Sequence, residues 1–122
     1  MPGSTTLGFG RELRLLTAKD FQFVFDNPTR ASAPQLLLLA RNNNLSHPRL
    51  GFVISRKNIR RAHERNRIKR LAREYLRIHQ TALPAVDLIV MAKKGCEKLP
   101  NPELVDLLEG LWRTLMRRLP NS

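Results

Sequence analysis

Apolar and polar positions along this chain change period several times, and each change marks an element. Leu16-Thr17-Ala18-Lys19-Asp20-Phe21 reads as a helix start. Thr17 can accept a hydrogen bond from the free amide of Asp20, whose carboxylate reaches back, while Leu16 and Phe21 occupy the two staple positions. The helix must stop by Asn27-Pro28, because the residue before a proline is pushed out of the helical region. An apolar run of strand length from Gln35 to Arg41 is followed, after a polar loop, by a second from Leu50 to Lys57. The pair is expected to form an antiparallel hairpin. In the second run Leu50, Phe52 and Ile54 share one face, and Gly51, Val53, Ser55 and Lys57 the other. Val86 to Lys94 repeats the pattern as a third long strand, with Asp87, Ile89 and Met91 on one parity and Leu88, Val90, Ala92 and Lys94 on the other.

Between the last two strands, Arg61 to Gln80 has helical period, with Ile68, Leu71, Ala72, Tyr75 and Leu76 in one stripe. A closing amphipathic helix opens at Asn101-Pro102-Glu103, with Asn101 as the expected cap and proline at the first helical position. It carries Leu104, Leu108, Leu111, Trp112 and Leu115 on one side. The order helix, two or three strands, helix, strand, helix predicts an α+β two-layer sandwich. Residues 1–10 contain three Gly and one Pro and are expected to be a mobile lead-in. Residues 11–119 are expected to form a single domain, since 122 residues with 42% hydrophobic content suit one core.

Charge changes the picture most. There are 22 Lys and Arg against 10 Asp and Glu, a formal +12, which implies a polyanionic partner. Between Arg56 and Arg77 stand ten basic residues and two acidic ones. Arg outnumbers Lys there eight to two, and guanidinium forks suit phosphate oxygens and base edges. On a helical wheel Asn66, Arg70, Arg73 and Arg77 project opposite the apolar stripe, with Arg67 and Lys69 beside them. The plain alternative is a solvated helix face with Glu74 paired to Arg70 and Arg77. A membrane-surface helix fits poorly, because the apolar side is needed for the sheet and no exposed aromatic anchors accompany the charge.

No apolar run reaches about 18 residues, and no secretory leader pattern is present, so a soluble cytoplasmic protein is expected. Cys96 is alone, and His47, His63 and His79 have no metal-ligand spacing. No acid pair, nucleophile-base pair or phosphate-cradling glycine loop is evident, so the chain is not expected to supply catalytic chemistry itself. Phe21, Phe23 and Phe25 crowd one short helix. They are either core packing or the wall of a partly open cleft that contacts unpaired bases, with Lys57 and Lys94 as phosphate partners. Tyr75 and Trp112 sit in apolar stripes and are expected in the core. His63, beside Arg61 and Arg65, is either an RNA contact or a solvated residue.

Arg65-Asn66-Arg67-Ile68-Lys69-Arg70-Leu71, preceded by Gly51-Phe52-Val53-Ile54-Ser55-Arg56-Lys57, resembles the signature of the bacterial ribonuclease P protein subunit. Arg14-Leu15-Leu16, Asp20-Phe21-Gln22-Phe23-Val24-Phe25 and Asp87-Leu88-Ile89-Val90-Met91-Ala92-Lys93-Lys94-Gly95 agree in order and spacing. The similarity spans residues 11–118 and is greatest toward gamma-proteobacterial members. It implies a fold like the second domain of ribosomal protein S5, with a left-handed βαβ crossover in place of the usual right-handed one.

It further implies a non-catalytic protein subunit of an endoribonuclease whose RNA, using magnesium, removes the 5′ leader of precursor tRNA. The protein itself is expected to bind no cofactor and no metal, and to need neither a membrane nor an obligate protein partner. Carried over by position, contacts to the RNA subunit fall to Arg56, Arg60, Arg61, Arg65, Asn66, Arg67, Lys69, Arg70 and Arg73. The leader-binding cleft falls to Phe21, Phe25, Leu39, Val53, Lys57, Ala92 and Lys94. Leu39 stands where some relatives have an aromatic. Two other readings compete. A ribosomal protein or assembly factor would share the charge but not the ordered motifs, and a stand-alone nuclease would need a carboxylate cluster for its own metal.

Overall fold

The computed structural model of the protein describes residues 13–79 and 84–120, and the expected lead-in at 1–10 lies outside the described residues. Within them run helix α1 (Ala18–Asp26), strands β1 (Thr29–Ser32), β2 (Leu36–Asn42) and β3 (Arg49–Val53), helix α2 (Ala62–His79), strand β4 (Val86–Ala92), a 3-10 turn (Cys96–Lys98) and helix α3 (Asn101–Arg118).

The start of α1 follows its sequence. Thr17 Oγ1 accepts from the Asp20 amide at 3.2 Å, and Asp20 Oδ2 accepts from the amides of Leu16 and Thr17, each at 3.1 Å. Burial works to raise the Asp20 carboxyl pKa, but those two amides and the Arg49 guanidinium outweigh it and hold it below its ordinary value. The staple differs from expectation. Leu16 stays 49% exposed, and its neighbour Leu15 packs beside Val24 instead.

One four-stranded sheet has the order β1-β2-β4-β3. β1 and β2 are antiparallel, β2 and β4 are antiparallel, and β3 lies parallel to β4. The expected hairpin of the 35–41 and 50–57 runs is therefore replaced by a β1-β2 hairpin, because β4 lies between β2 and β3. The reason sits in β4, which is buried at every position except the half-buried Met91. Such a run requires cover on both faces and a neighbour on both edges. β3 also ends at Val53, so Ser55 and Lys57 belong to the following turn.

Alternation along the strands gives the sheet two unlike faces. On the main face Leu36, Leu38, Leu50, Leu88 and Val90 pack against α2 through Ile68, Ala72 and Leu76, and against α3 through Leu104, Leu108 and Leu115. Trp112 is buried there and Tyr75 packs beside it, as core residues. On the other face Leu39 and Ile89 meet Leu15 and Val24, with Phe21, Phe23, Leu37 and Met91 packed around them. Pro100, not Asn101, is the N-cap residue of α3, and no side chain caps it. Cys96 is buried, and burial pushes its thiol up to about 11.

Candidate nucleic-acid interface

The basic segment divides into exposed and committed side chains. Asn66 and Arg70 lie on the exposed side of α2, away from the buried Ile68, Ala72 and Leu76. Arg56, Lys57, Arg60 and Arg61 are exposed on the turn before it. Asn58 fixes this turn, its amide donating to Ser55 Oγ at 3.1 Å and its Nδ2 to the Ala92 carbonyl at 3.3 Å, while Ile59 is buried beneath. Arg60 and Arg61 border an open depression of about 320 Å³ with Glu64, Glu97 and Lys98. Lys69 and Arg73 are half-buried, and the Arg73 guanidinium lies 5.3 Å from the centre of the Phe52 ring, within cation–π range. His63 is solvated, with its side chain 71% exposed.

Arg65 and Arg67 are half-buried and hydrogen-bonded within the protein. Arg65 Nη1 donates to the carbonyls of Ile59 and Arg60, each at 2.9 Å, and so closes the turn onto the helix. Arg67 donates from Nε to Glu64 Oε1 at 2.8 Å, from Nη1 to Asn101 Oδ1 at 2.6 Å, and from Nη2 to the Glu97 carbonyl at 3.0 Å. One guanidinium therefore joins α2, the 3-10 turn and the first residue of α3. The hydrogen bond from Arg67 outweighs desolvation and draws Glu64 below its ordinary pKa. Both arginines, expected as RNA contacts alongside Arg70, also hold the surrounding surface in shape. Glu74 pairs with Arg77 rather than with Arg70.

On the opposite face, α1 covers only part of the sheet. Phe25 is 39% and Val53 36% exposed, whereas Leu39 is buried and forms floor rather than wall. Phe21 is half-buried against bare backbone: a Cβ on Gly51 would stand 2.7 Å from its Cζ and 3.0 Å from Leu15 Cβ. Phe23 is held apart by Arg41, whose guanidinium lies 3.9 Å from the ring centre and whose Nη1 donates to the Phe23 carbonyl at 2.7 Å.

Ala92 is misplaced in the expected cleft. The register sets Gly51 opposite Ile89 and Val53 opposite Met91, and paired residues share a face. Met91 therefore continues the cleft, while Ala92 is buried in the main core on the other side. Lys94 is exposed in the turn beyond β4, and Lys57 in the turn beyond β3.

Sequence reasoning also missed the joint beneath α1. Asp87 is fully buried and accepts from Arg49 Nε at 2.8 Å, Arg49 Nη2 at 2.6 Å and Asn43 Nδ2 at 2.8 Å. Arg49 Nη1 also stands 3.5 Å from Asp20 Oδ1. Both Asp87 oxygens are thus satisfied, and the capped end of α1 is tied to β3, β4 and the loop after β2. The signal that could have found it is a lone acid inside an apolar strand, which survives burial only when paired. Among the described residues, no three His, Cys, Asp or Glu side chains come together in a way that could hold a metal ion, and no helix is long and apolar enough to cross a membrane.

A two-layer α+β domain with free guanidinium groups on one flank and partly open aromatics on the opposite face defines a nucleic-acid-binding protein. A family model described as ribonuclease P matches residues 9–116. A ribonuclease P protein component of Proteus mirabilis strain HI4320 is 58% identical over 116 residues, covering 95% of this chain and 98% of that protein. One from Yersinia enterocolitica is 53% identical with the same coverage. The solved structure of the Staphylococcus aureus RNase P protein superposes with a TM-score of 0.78 at 28% identity, covering 84% of this chain and 94% of that one. The chain belongs to the ribonuclease P protein family.

Proposed function

We propose that this ribonuclease P protein component serves tRNA 5′ maturation through two separate surfaces. The exposed cations Arg56, Arg60, Arg61 and Arg70, with Asn66, bind the catalytic RNA, and Arg65 and Arg67 hold them in place. The cleft formed by Phe21, Phe25, Val53 and Met91, with Lys57 at its edge, takes the unpaired 5′ leader of precursor tRNA. The observation that carries this division is that α2 and α1 lie on opposite faces of the sheet, so one protein can touch two RNA strands at once. Bond cleavage belongs to the RNA subunit and its magnesium, in the cytoplasm, with no membrane and no further obligate protein. The protein's part is to bind and orient.

Reconstitution with the matching RNA subunit at low magnesium tests this reading. Arg70→Ala should weaken assembly with the RNA subunit whatever the substrate, and flatten the dependence of log affinity on log salt by about one unit. Phe25→Leu removes the flat π surface, and base stacking is typically worth about 1 to 3 kcal/mol. It should weaken binding of leader-bearing precursor to the saturated holoenzyme while leaving mature tRNA unaffected. Equal losses on both substrates would show that the phenylalanine only packs α1. An Arg70→Ala protein that assembles normally would remove the ridge from the interface.

A further inference from the structure

The turn between β3 and α2 is fastened on one side to the helix and on the other to the sheet. Toward α2 it is held by the buried Ile59 and by Arg65 Nη1, which donates to the Ile59 and Arg60 carbonyls. Toward the cleft it is held by Asn58. The β3-β4 ladder ends with Val53 opposite Met91, so Ala92 lies beyond the last residue of β3. Asn58 Nδ2 donates to the Ala92 carbonyl at 3.3 Å and takes the place of the next rung. A carboxamide offers the same N–H donor as a backbone amide, here from a turn, so the chain leaves the sheet without orphaning that carbonyl. Lys57, at the edge of the cleft, is the residue before Asn58. We infer that Asn58 is a positioning residue for leader binding, because its tie to the end of β4 fixes where Lys57 stands at the mouth of the cleft.

Three features support this role, which rests on the leader-cleft reading above. The anchor is firm: Ala92 is buried and stands opposite Leu36. The next residue, Lys93, donates from its amide to the Gln35 carbonyl at 2.9 Å, and from Nζ to Ser32 Oγ at 2.8 Å and the Ala33 carbonyl at 2.7 Å. The backbone around Lys57 is closed on itself, since the Asn58 amide donates to Ser55 Oγ at 3.1 Å and the Ile59 amide to the Ser55 carbonyl at 3.0 Å. The tie at Asn58 therefore places the whole loop that carries Lys57. Finally, Arg56, Lys57 and Arg60 are all exposed on this turn, and like charges released from β4 would spread apart. A lysine is a point charge on a flexible stem, so the place of its backbone decides which phosphate it meets.

In the holoenzyme reconstituted with the matching RNA subunit, Asn58→Ala should weaken binding of leader-bearing precursor about fivefold. The loss should appear as a raised KM with unchanged kcat, and mature tRNA should bind as before. Although Asn58 is uncharged, its loss should flatten the dependence of log affinity on log salt as Lys57→Ala does, by about one unit, because the lysine no longer meets its phosphate. Asn58→Gln keeps a donor amide and should recover part of the loss. The double variant of Lys57→Ala with Asn58→Ala should bind the leader no worse than Lys57→Ala alone, since one residue acts through the other. Additive losses with an unchanged salt slope overturn the inference, as does an equal loss on mature tRNA or a fall in thermal midpoint with leader affinity intact. If Lys57→Ala and Phe25→Leu are both silent toward the leader, the leader-cleft reading itself fails, and this role falls with it.

Discussion

The two faces of the sheet are built by the same alternating strands and finished in opposite ways. The main face is closed by two helices of 18 residues each and leaves a void of only about 20 Å³ beside Leu38, Leu88 and Trp112. The other face receives a single helix of nine residues and keeps Phe25 and Val53 partly in solvent. Burying a leucine contributes roughly 1.5 to 3 kcal/mol, so the main face carries most of the stability. Because it does, the second face can stay open and present apolar groups to a ligand. The difference teaches that the open cleft is sustained by packing on the far side of the strands.

Substitutions can break or sharpen that contrast. The largest effect is expected at the joint beneath α1: Arg49→Ala strands the buried Asp87 carboxylate and should cost about 3 to 5 kcal/mol in urea unfolding. Replacing the pair together, Arg49→Met with Asp87→Leu, should recover much of that, and failure to recover would mean the loss was packing rather than an orphaned charge. Next, Leu38→Ala on the main face should cost about 2 to 5 kcal/mol, against less than about 1 kcal/mol for Phe25→Ala. Similar costs would erase the distinction between the faces.

Arg67→Ala should cost about 1 to 3 kcal/mol through its lost hydrogen bonds, while Arg70→Ala should stay within about 0.5 kcal/mol. A stable Arg67→Ala protein with poor RNA affinity would return Arg67 to the interface. Smallest in stability, at about 1 kcal/mol, is Gly51→Ala, because the new methyl pushes Phe21 outward. Its effect on leader affinity should exceed its effect on the melting temperature.

Much of this was legible in the residues, and the gaps have physical causes. Thr17 and Asp20 announced the start of α1 because a capping box is local, closed within four residues. The places of the three long strands and the stripe of α2 were equally readable, although β3 stops at Val53, short of the expected Lys57. Strand neighbours were not, since period 2 says which way a side chain points and nothing about which strand lies beside it. The near-continuous apolar run of β4 did hint at a central position. The error at Ala92 follows directly, because choosing between it and Met91 requires the β3-β4 register, set by contacts 38 residues apart. The internal bonds of Arg65 and Arg67 were not readable either, as their acceptors include the carbonyls of Ile59, Arg60 and Glu97. Backbone acceptors leave no trace in a sequence.

The central placement of β4 also fixes when the molecule can exist. β4 is the last strand to leave the ribosome, yet β3 has no strand neighbour except β4 along its inner edge. Until Ala92 has emerged, the earlier chain offers the short α1, a β1-β2 hairpin, a unit marginal on its own, and a basic helix whose apolar stripe has nothing to cover. α3, which seals the main face, comes later still. A nascent chain stopped before β4 is therefore a polycation with exposed leucines, not a smaller version of the fold. Discriminating RNA recognition begins only once β4 and α3 have both been made.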